Sequence, residues 1–196
     1  CSRISKLSEC RGRARFLSDK ERAALLDACK ASKSPHLYPI VVIALSTGAR
    51  LGEILGLSWP NIDLQKGRII LQETKNGETR SVPLTGHALK VVKEWSKVRR
   101  LDSDLLFPNK RNPNTHIDIR SPWYTSVKRA ELEDFKFHDL RHSAASYLAM
   151  NGATLAEIAE VLGHKTLQMV KRYSHLTEEH TSSVVASMNE RIFSDV

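Results

Sequence analysis

Cysteine is scarce in this chain, and the three present, Cys1, Cys10 and Cys29, form no Cys-x-x-Cys pair. An odd number at that spacing argues against a disulfide framework and against a cysteine zinc site, and it fits a reducing cytoplasm. Long apolar runs are lacking too. The longest, Ile40 to Leu45, falls far short of the roughly 20 residues that a bilayer span requires, so no membrane partner is expected. There is no internal repeat, no low-complexity segment, no initiator Met and no signal-peptide pattern in the polar, basic start. The chain is therefore expected to be a piece of a longer protein. Acidic residues are outnumbered, 22 Asp and Glu against 30 Lys and Arg, for a formal net charge of +8 and a pI near 9.5. That balance favours a polyanion such as nucleic acid or an anionic membrane surface. At 196 residues the chain is long enough for one domain with a real core, or for one domain and a small appendage.

Residues 1–17, with Arg3, Lys6, Arg11, Arg13 and Arg15 and little periodicity, read as a basic linker. Residues 18–196 then read as one domain. Ser18-Asp19-Lys20-Glu21 is a capping-box signal for a first helix, and Leu37 to Ser46 is apolar enough to be a helix buried nearly all round. Thr47-Gly48 ends that helix, and Arg50 opens a short one in Thr47-Gly48-Ala49-Arg50-Leu51-Gly52-Glu53-Ile54. A charged side chain this close to a core helix needs a partner, and Glu53 is in reach. After Trp59-Pro60-Asn61 the pattern changes to two alternating runs, Arg68 to Gln72 and Thr79 to Leu84. Asn76-Gly77 between them is a strong hairpin signal, with Lys75 just before the turn.

Thr85 to Arg100 reads as a surface helix, Lys110 to Asp118 as a loop, and Ser121-Pro122-Trp123 as the start of another helix. A second capping box, Thr154-Leu155-Ala156-Glu157, opens a helix to Val161, and Thr177 to Phe193 forms a last helix with Val184, Val185, Met188 and Ile192 apolar.

The densest chemistry lies between Phe137 and Tyr173. His138 and Arg141, three apart, share a helix face; Gly163 presents His164; and Tyr173 follows nine residues after His164. Two imidazoles, a guanidinium and a phenol from three consecutive helical segments suit a phosphodiester better than a carbonyl. Arg offers a planar fork to two phosphate oxygens, and His can donate to a third or move a proton near neutral pH.

These residues resemble the tyrosine recombinases, or phage-type integrases. The His-x-x-Arg of His138 and Arg141, the Leu162-Gly163-His164 run and Tyr173 match that family's second signature box in order and spacing, and Thr47-Gly48-Ala49-Arg50 with Glu53-Ile54 matches its first. The resemblance implies a mainly α fold of the α+β kind, helical with a small antiparallel β-sheet. It implies a catalytic set of Arg50, Lys75, His138, Arg141, His164 and Tyr173, with Glu53 structural behind Arg50. Tyr173 is the implied nucleophile, giving a 3′-phosphotyrosine and a free 5′-hydroxyl. Arg50, Arg141 and His164 hold the nonbridging oxygens, His138 assists loss of the phenol proton, and Lys75 protonates the leaving oxygen. No cofactor and no metal enter this scheme. The implied partners are double-stranded DNA and three further copies, a homotetramer on paired sites, with the free fragment monomeric and cytoplasmic in a bacterial or phage-encoded setting.

Taken singly, each residue has a plainer reading: His138 as a core histidine, Arg141 as an ion pair with Asp139 or Glu157, Tyr173 as an aromatic at the core edge, and Lys75 as a solvated charge. Three rivals use the same residues. A zinc hydrolase would employ His138 and His142, one helical turn apart, although Asp139 stands where a general-base Glu would be expected and Arg141 would oppose the cation. On the recombinase reading His142 only braces its helix. A DNA-binding module without activity, and a relative of the type IB topoisomerases, complete the alternatives.

Overall fold

The computed structural model describes residues 15–72, 79–176 and 178–194. Its centre is helix α2, Leu37–Thr47, in which Leu37, Ile40, Val41, Ile43 and Ala44 are at most 1% exposed, as expected for a helix apolar on all sides. Around α2 pack α1, Asp19–Lys30, then α4, Gly86–Ser96, and α6, Asp139–Met150. Helix α5, Arg120–Arg129, lies on α1 and closes the core with Trp123, whose ring meets Phe135 and Phe137 at centroid distances of 6.1 and 5.0 Å.

Both expected capping boxes form. Ser18 accepts from the Glu21 N–H while Glu21 returns to the Ser18 N–H at 2.8 Å, and Thr154 and Glu157 do the same at the start of α7, Leu155–Leu162. Leu17 is fully buried, donates its N–H to Ser143 Oγ at 3.0 Å and accepts from the Tyr147 hydroxyl at 2.8 Å, so the chain is already tied to α6 before α1 begins.

The sheet has three antiparallel strands in the order β1-β2-β3: β1 Ile62–Asp63, β2 Arg68–Gln72 and β3 Thr79–Pro83. Strands β2 and β3 pair from Arg68 with Pro83 to Gln72 with Thr79, which puts Ile69, Leu71 and Val82 on the core face. The two-residue β1 was not foreseen, being too short to show alternation. The hairpin tip, with Lys75 and Asn76-Gly77, lies outside the described residues, as do residues 1–14 of the expected linker. Leu105 to Phe107 runs antiparallel beside Leu57 to Trp59: Leu106 N–H donates to the Leu57 carbonyl and Trp59 N–H to that of Asp104, each at 2.8 Å.

A second, smaller core joins α6, α7 and the 3-10 turns that follow: Ala145, Ala149, Ile158, Ala159, Leu162, Val170 and Tyr173. The last helix, α8, Glu178–Phe193, meets the 3-10 segment Lys171–Leu176, while Val184, Val185, Met188, Ile192 and Phe193 stay about half exposed. Among the described residues no helix is long and apolar enough to cross a membrane.

Candidate active site

Two left-handed glycines set the frame. Gly48 (φ 62°) ends α2 and Gly163 (φ 68°) ends α7, and each lets its helix stop abruptly with a candidate site residue just beyond, Arg50 and His164. Their surroundings leave no room for a side chain. A Cβ on Gly48 would collide with Leu162 Cδ2, and one on Gly163 would lie 2.8 Å from Arg80 Cδ.

Arg141, on the first turn of α6, points into the gap between these two corners. It donates from Nη1 to the Gly48 carbonyl at 2.8 Å and from Nη2 to the Leu162 carbonyl at 2.7 Å. These carbonyls belong to helix ends that otherwise lack partners, and the cation complements their partial negative charge. The plainer reading of Arg141 as an ion pair with Asp139 or Glu157 is thus replaced, since among its described bonds its partners are main-chain oxygens. At 4% exposure the guanidinium has its pKa pushed down to about 10 by burial and then by Arg50 and Arg80, and it remains charged at neutral pH.

Arg50 stands at the N-terminus of α3, Leu51–Leu55, and its Nη1 donates to Glu53 Oε1 at 2.9 Å. The expected pair forms, but Glu53 does more than face Arg50. Its Oε2 accepts the Arg50 backbone N–H at 2.7 Å, and both its oxygens receive the fork of Arg80 from β3 at 2.9 and 2.8 Å. Arg80 Nε also reaches the Val161 carbonyl near the end of α7 at 3.4 Å. One carboxylate, 7% exposed, therefore ties the Arg50 corner to the hairpin, and Arg80 carries that tie on toward His164. Burial by itself would raise the Glu53 pKa; the Arg80 hydrogen bonds and the Arg50 N–H outweigh it, and the carboxyl is held below its ordinary range.

His138 immediately precedes α6 without a side-chain capping bond, and its ring meets that of His142 one turn later edge to face, with ring centroids 5.1 Å apart. His142 Nδ1 lies 2.6 Å from the Tyr173 hydroxyl. Tyr173 is 2% exposed, in the 3-10 turn Lys171–Leu176, and burial raises its pKa while Arg172 and Arg141 act to lower it. His164 is pushed down to about 4 by burial and then by Arg141, Arg50, Arg172 and Arg80, and its Nδ1 is buried with no hydrogen-bond partner among the described residues. His138 is lowered by burial first and then by Arg141, with Arg50 and Arg172 adding to it. The site is thus a cluster of neutral imidazoles and a protonated phenol under the field of four guanidinium groups. Such a field calls for an anion.

The sequence profile of the phage integrase family matches residues 15–180. The chain belongs to this family. It is 36% identical over 179 residues to a shufflon-specific DNA recombinase of Escherichia coli, covering 89% of this chain and 43% of that protein. It is 33% identical over 180 residues to the integrase of Salmonella phage P22, covering 86% and 45%. It superposes on the catalytic domain of bacteriophage HP1 integrase with a TM-score of 0.70 at 31% identity, over 92% of this chain and 96% of that one. The chain spans about half the length of the curated relatives it matches, and the integrase catalytic-domain fold covers nearly all of it.

Arg50, His138, Arg141, His164 and Tyr173 are brought together by α3, α6, α7 and the 3-10 turn that follows; Lys75 lies outside the described residues. Two residues in contact with this cluster were not among the expected site residues. His142 was given only a bracing role, yet it holds the tyrosine hydroxyl. Arg80 carried no motif at all, and only its place three residues after Gly77, on the strand returning from the hairpin, hinted that it faced the site. The zinc reading is not favoured: the relatives are integrases and recombinases, His142 Nδ1 is engaged by Tyr173, and among the described residues no three His, Cys, Asp or Glu side chains converge on a point.

Proposed function

We propose that this chain is the catalytic part of a site-specific DNA recombinase that cuts and rejoins strands through a 3′-phosphotyrosine. What supports the reading is that Arg141, Arg50 and Arg172 act on both His138 and His164, while Arg141 and Arg172 also act on the buried Tyr173, in a chain of the phage integrase family. Tyr173 Oη attacks the scissile phosphorus in line, and the bond from phosphorus to the 5′-oxygen breaks. Arg50 and Arg141 face the nonbridging oxygens, and charge that develops there meets donors already in place. Arg141 has five N–H hydrogens, of which the two carbonyl bonds use two, so three remain for a phosphate held in a fixed plane. His164 and His138 add donors once the anion has offset the surrounding cations. Lys75 gives the departing 5′-oxygen its proton. The phosphotyrosine keeps the bond energy, and the 5′-hydroxyl of a partner duplex reverses the step on a new strand.

The substrate in this reading is double-stranded DNA, the working assembly is four copies on paired sites, and the setting is the bacterial cytoplasm. The exposed apolar face of α8 is available to a neighbouring copy in that assembly. The test is a nicked duplex that traps the adduct, drawn from a pool that samples target sequences. Wild-type protein should form a covalent complex, and Tyr173→Phe should form none while binding duplex nearly as well, since one hydroxyl is removed. Adduct from Tyr173→Phe at the wild-type level refutes the assignment.

A further inference from the structure

Resting on the reading of Tyr173 as nucleophile, we propose that His142, one turn beyond His138 on α6, is a catalytic residue that takes the phenol proton as Tyr173 attacks. The geometry is the first support. His142 Nδ1 and Tyr173 Oη are 2.6 Å apart, within reach for direct transfer, and they come from segments 31 positions apart in sequence that meet in the second core. With its hydrogen on Nε2, His142 accepts the O–H of Tyr173 at Nδ1. His138, the residue that the family resemblance implies for this task, has its ring against the ring of His142 and is left to face the phosphate.

The second support is the electrostatic setting. Among the groups whose charge His142 feels are His138, Asp139 and Arg141 on its own helix and Arg172 beside Tyr173. Burial first and then His138 and Arg172 push its pKa down to about 4, with Asp139 opposing. In the free chain His142 is therefore a neutral acceptor and the phenol keeps its proton. A phosphodiester seated among Arg50, Arg141 and Arg172 supplies the negative charge that these cations lack, and it raises the basicity of His142 when the nucleophile is needed. The tyrosine is armed by its substrate. In the step itself the Tyr173 O–H bond breaks, its proton moves to Nδ1, the bond from Oη to phosphorus forms, and the bond from phosphorus to the 5′-oxygen breaks with a proton supplied by the general acid. On religation the imidazolium returns its proton to the tyrosine oxygen.

The experiment compares wild type, His142→Asn, His142→Phe and Tyr173→Phe on the adduct-trapping duplex, each with duplex binding measured alongside. The His142 variants are also made with 3,5-difluorotyrosine at position 173, which ionises more readily and needs less help from a base. Asn keeps an acceptor near the Nδ1 position without basicity, and Phe keeps the ring without either. Loss of a general base typically costs 10² to 10⁴ in rate, so both variants should cleave at least about 100-fold more slowly with binding retained, and the fluorinated nucleophile should recover most of that loss in each. Wild-type cleavage by both variants overturns the proposal, and so does an equal loss that fluorination leaves unchanged. A normal rate with His142→Asn beside a slow His142→Phe also overturns it, because His142 would then only position the phenol. If Tyr173→Phe still forms adduct, the nucleophile assignment itself has failed; if it is silent while the His142 variants are normal, only the role of His142 has.

Discussion

Replacing Glu53 by Gln tests whether one buried carboxylate holds two arginines of the site. Glu53 accepts four hydrogen bonds, from the Arg50 N–H, Arg50 Nη1, Arg80 Nη1 and Arg80 Nη2, all between 2.7 and 2.9 Å. A glutamine keeps one oxygen acceptor, while its NH₂ would face donors, so about half of the set becomes repulsive. Hydrogen bonds to charged groups are worth about 1.5–3 kcal/mol each. The Arg50 side chain is 35% exposed and can turn to water, which discounts its share, whereas that of Arg80 is 15% exposed. A loss of about 3 kcal/mol follows, at the low end of what breaking a buried ion pair costs. For a domain of this size that lowers the melting temperature by about 6–12 °C. Urea unfolding followed by circular dichroism measures it directly, with the slope unchanged.

The gap should also depend on pH in one direction. The folded pKa of Glu53 is depressed, so its contribution is fully present above the carboxyl's ordinary value of about 4.5 and is lost as pH falls through the lower folded value. The difference between wild type and Glu53→Gln should therefore shrink below about pH 4.5. A variant within about 0.5 kcal/mol of wild type at pH 7, the scatter of ordinary surface substitutions, would refute the claim that the cluster is held by this carboxylate.

Gly163→Ala should lose about 1–2 kcal/mol from left-handed backbone strain and more from its contact with Arg80, seen as a lower melting temperature and slower adduct formation because His164 is adjacent. Lys75→Ala should cleave ordinary DNA very slowly and recover on a substrate whose bridging 5′-oxygen is sulfur, a leaving group that departs without protonation. Arg141→Ala should not recover, and equal rescue of both would reduce Lys75 to a DNA-contacting charge. Binding of this chain to duplex should weaken steeply between about 50 and 200 mM salt, as expected where Lys and Arg displace counterions, and salt-independent binding would contradict that account.

What was legible in the sequence was local. The caps at Ser18 and Thr154, the stop at Gly48 and the strands on either side of Asn76-Gly77 each rest on residues within about four positions of one another. The candidate site residues were picked out by the resemblance to the family's two short boxes, and the structure puts Arg50, His138, Arg141 and His164 at or beside helix ends. The contacts among them were not. Nothing near Arg141 says that its fork is directed at the carbonyls of Gly48 and Leu162, 93 and 21 positions away. Nothing near Arg80 says that it crosses to Glu53, 27 positions back. The pairing of His142 with Tyr173 was hidden in a similar way: at helical spacing His142 has the same face as His138, and only the return of the chain through the second core decides which imidazole meets the phenol.

The same contacts explain how four guanidinium groups can be held close together in the folded chain. Arg50 and Arg80 bear on Arg141 as like charges, and among the described residues the carboxylate that bonds this group is Glu53. The remaining balance is kept by main-chain dipoles: Arg141 sits against carbonyls near the ends of α2 and α7, and Arg80 leans on that of Val161. Carbonyl dipoles hold a cation without cancelling it, whereas a second carboxylate would have done both and left nothing for phosphate. The donors are consequently fixed in place while the field stays positive, and on the proposed reading a phosphodiester is what changes its sign around the neutral imidazoles. Fold stability and chemical readiness thus draw on the same bonds, which is why loss of Glu53 or Gly163 should be felt in both.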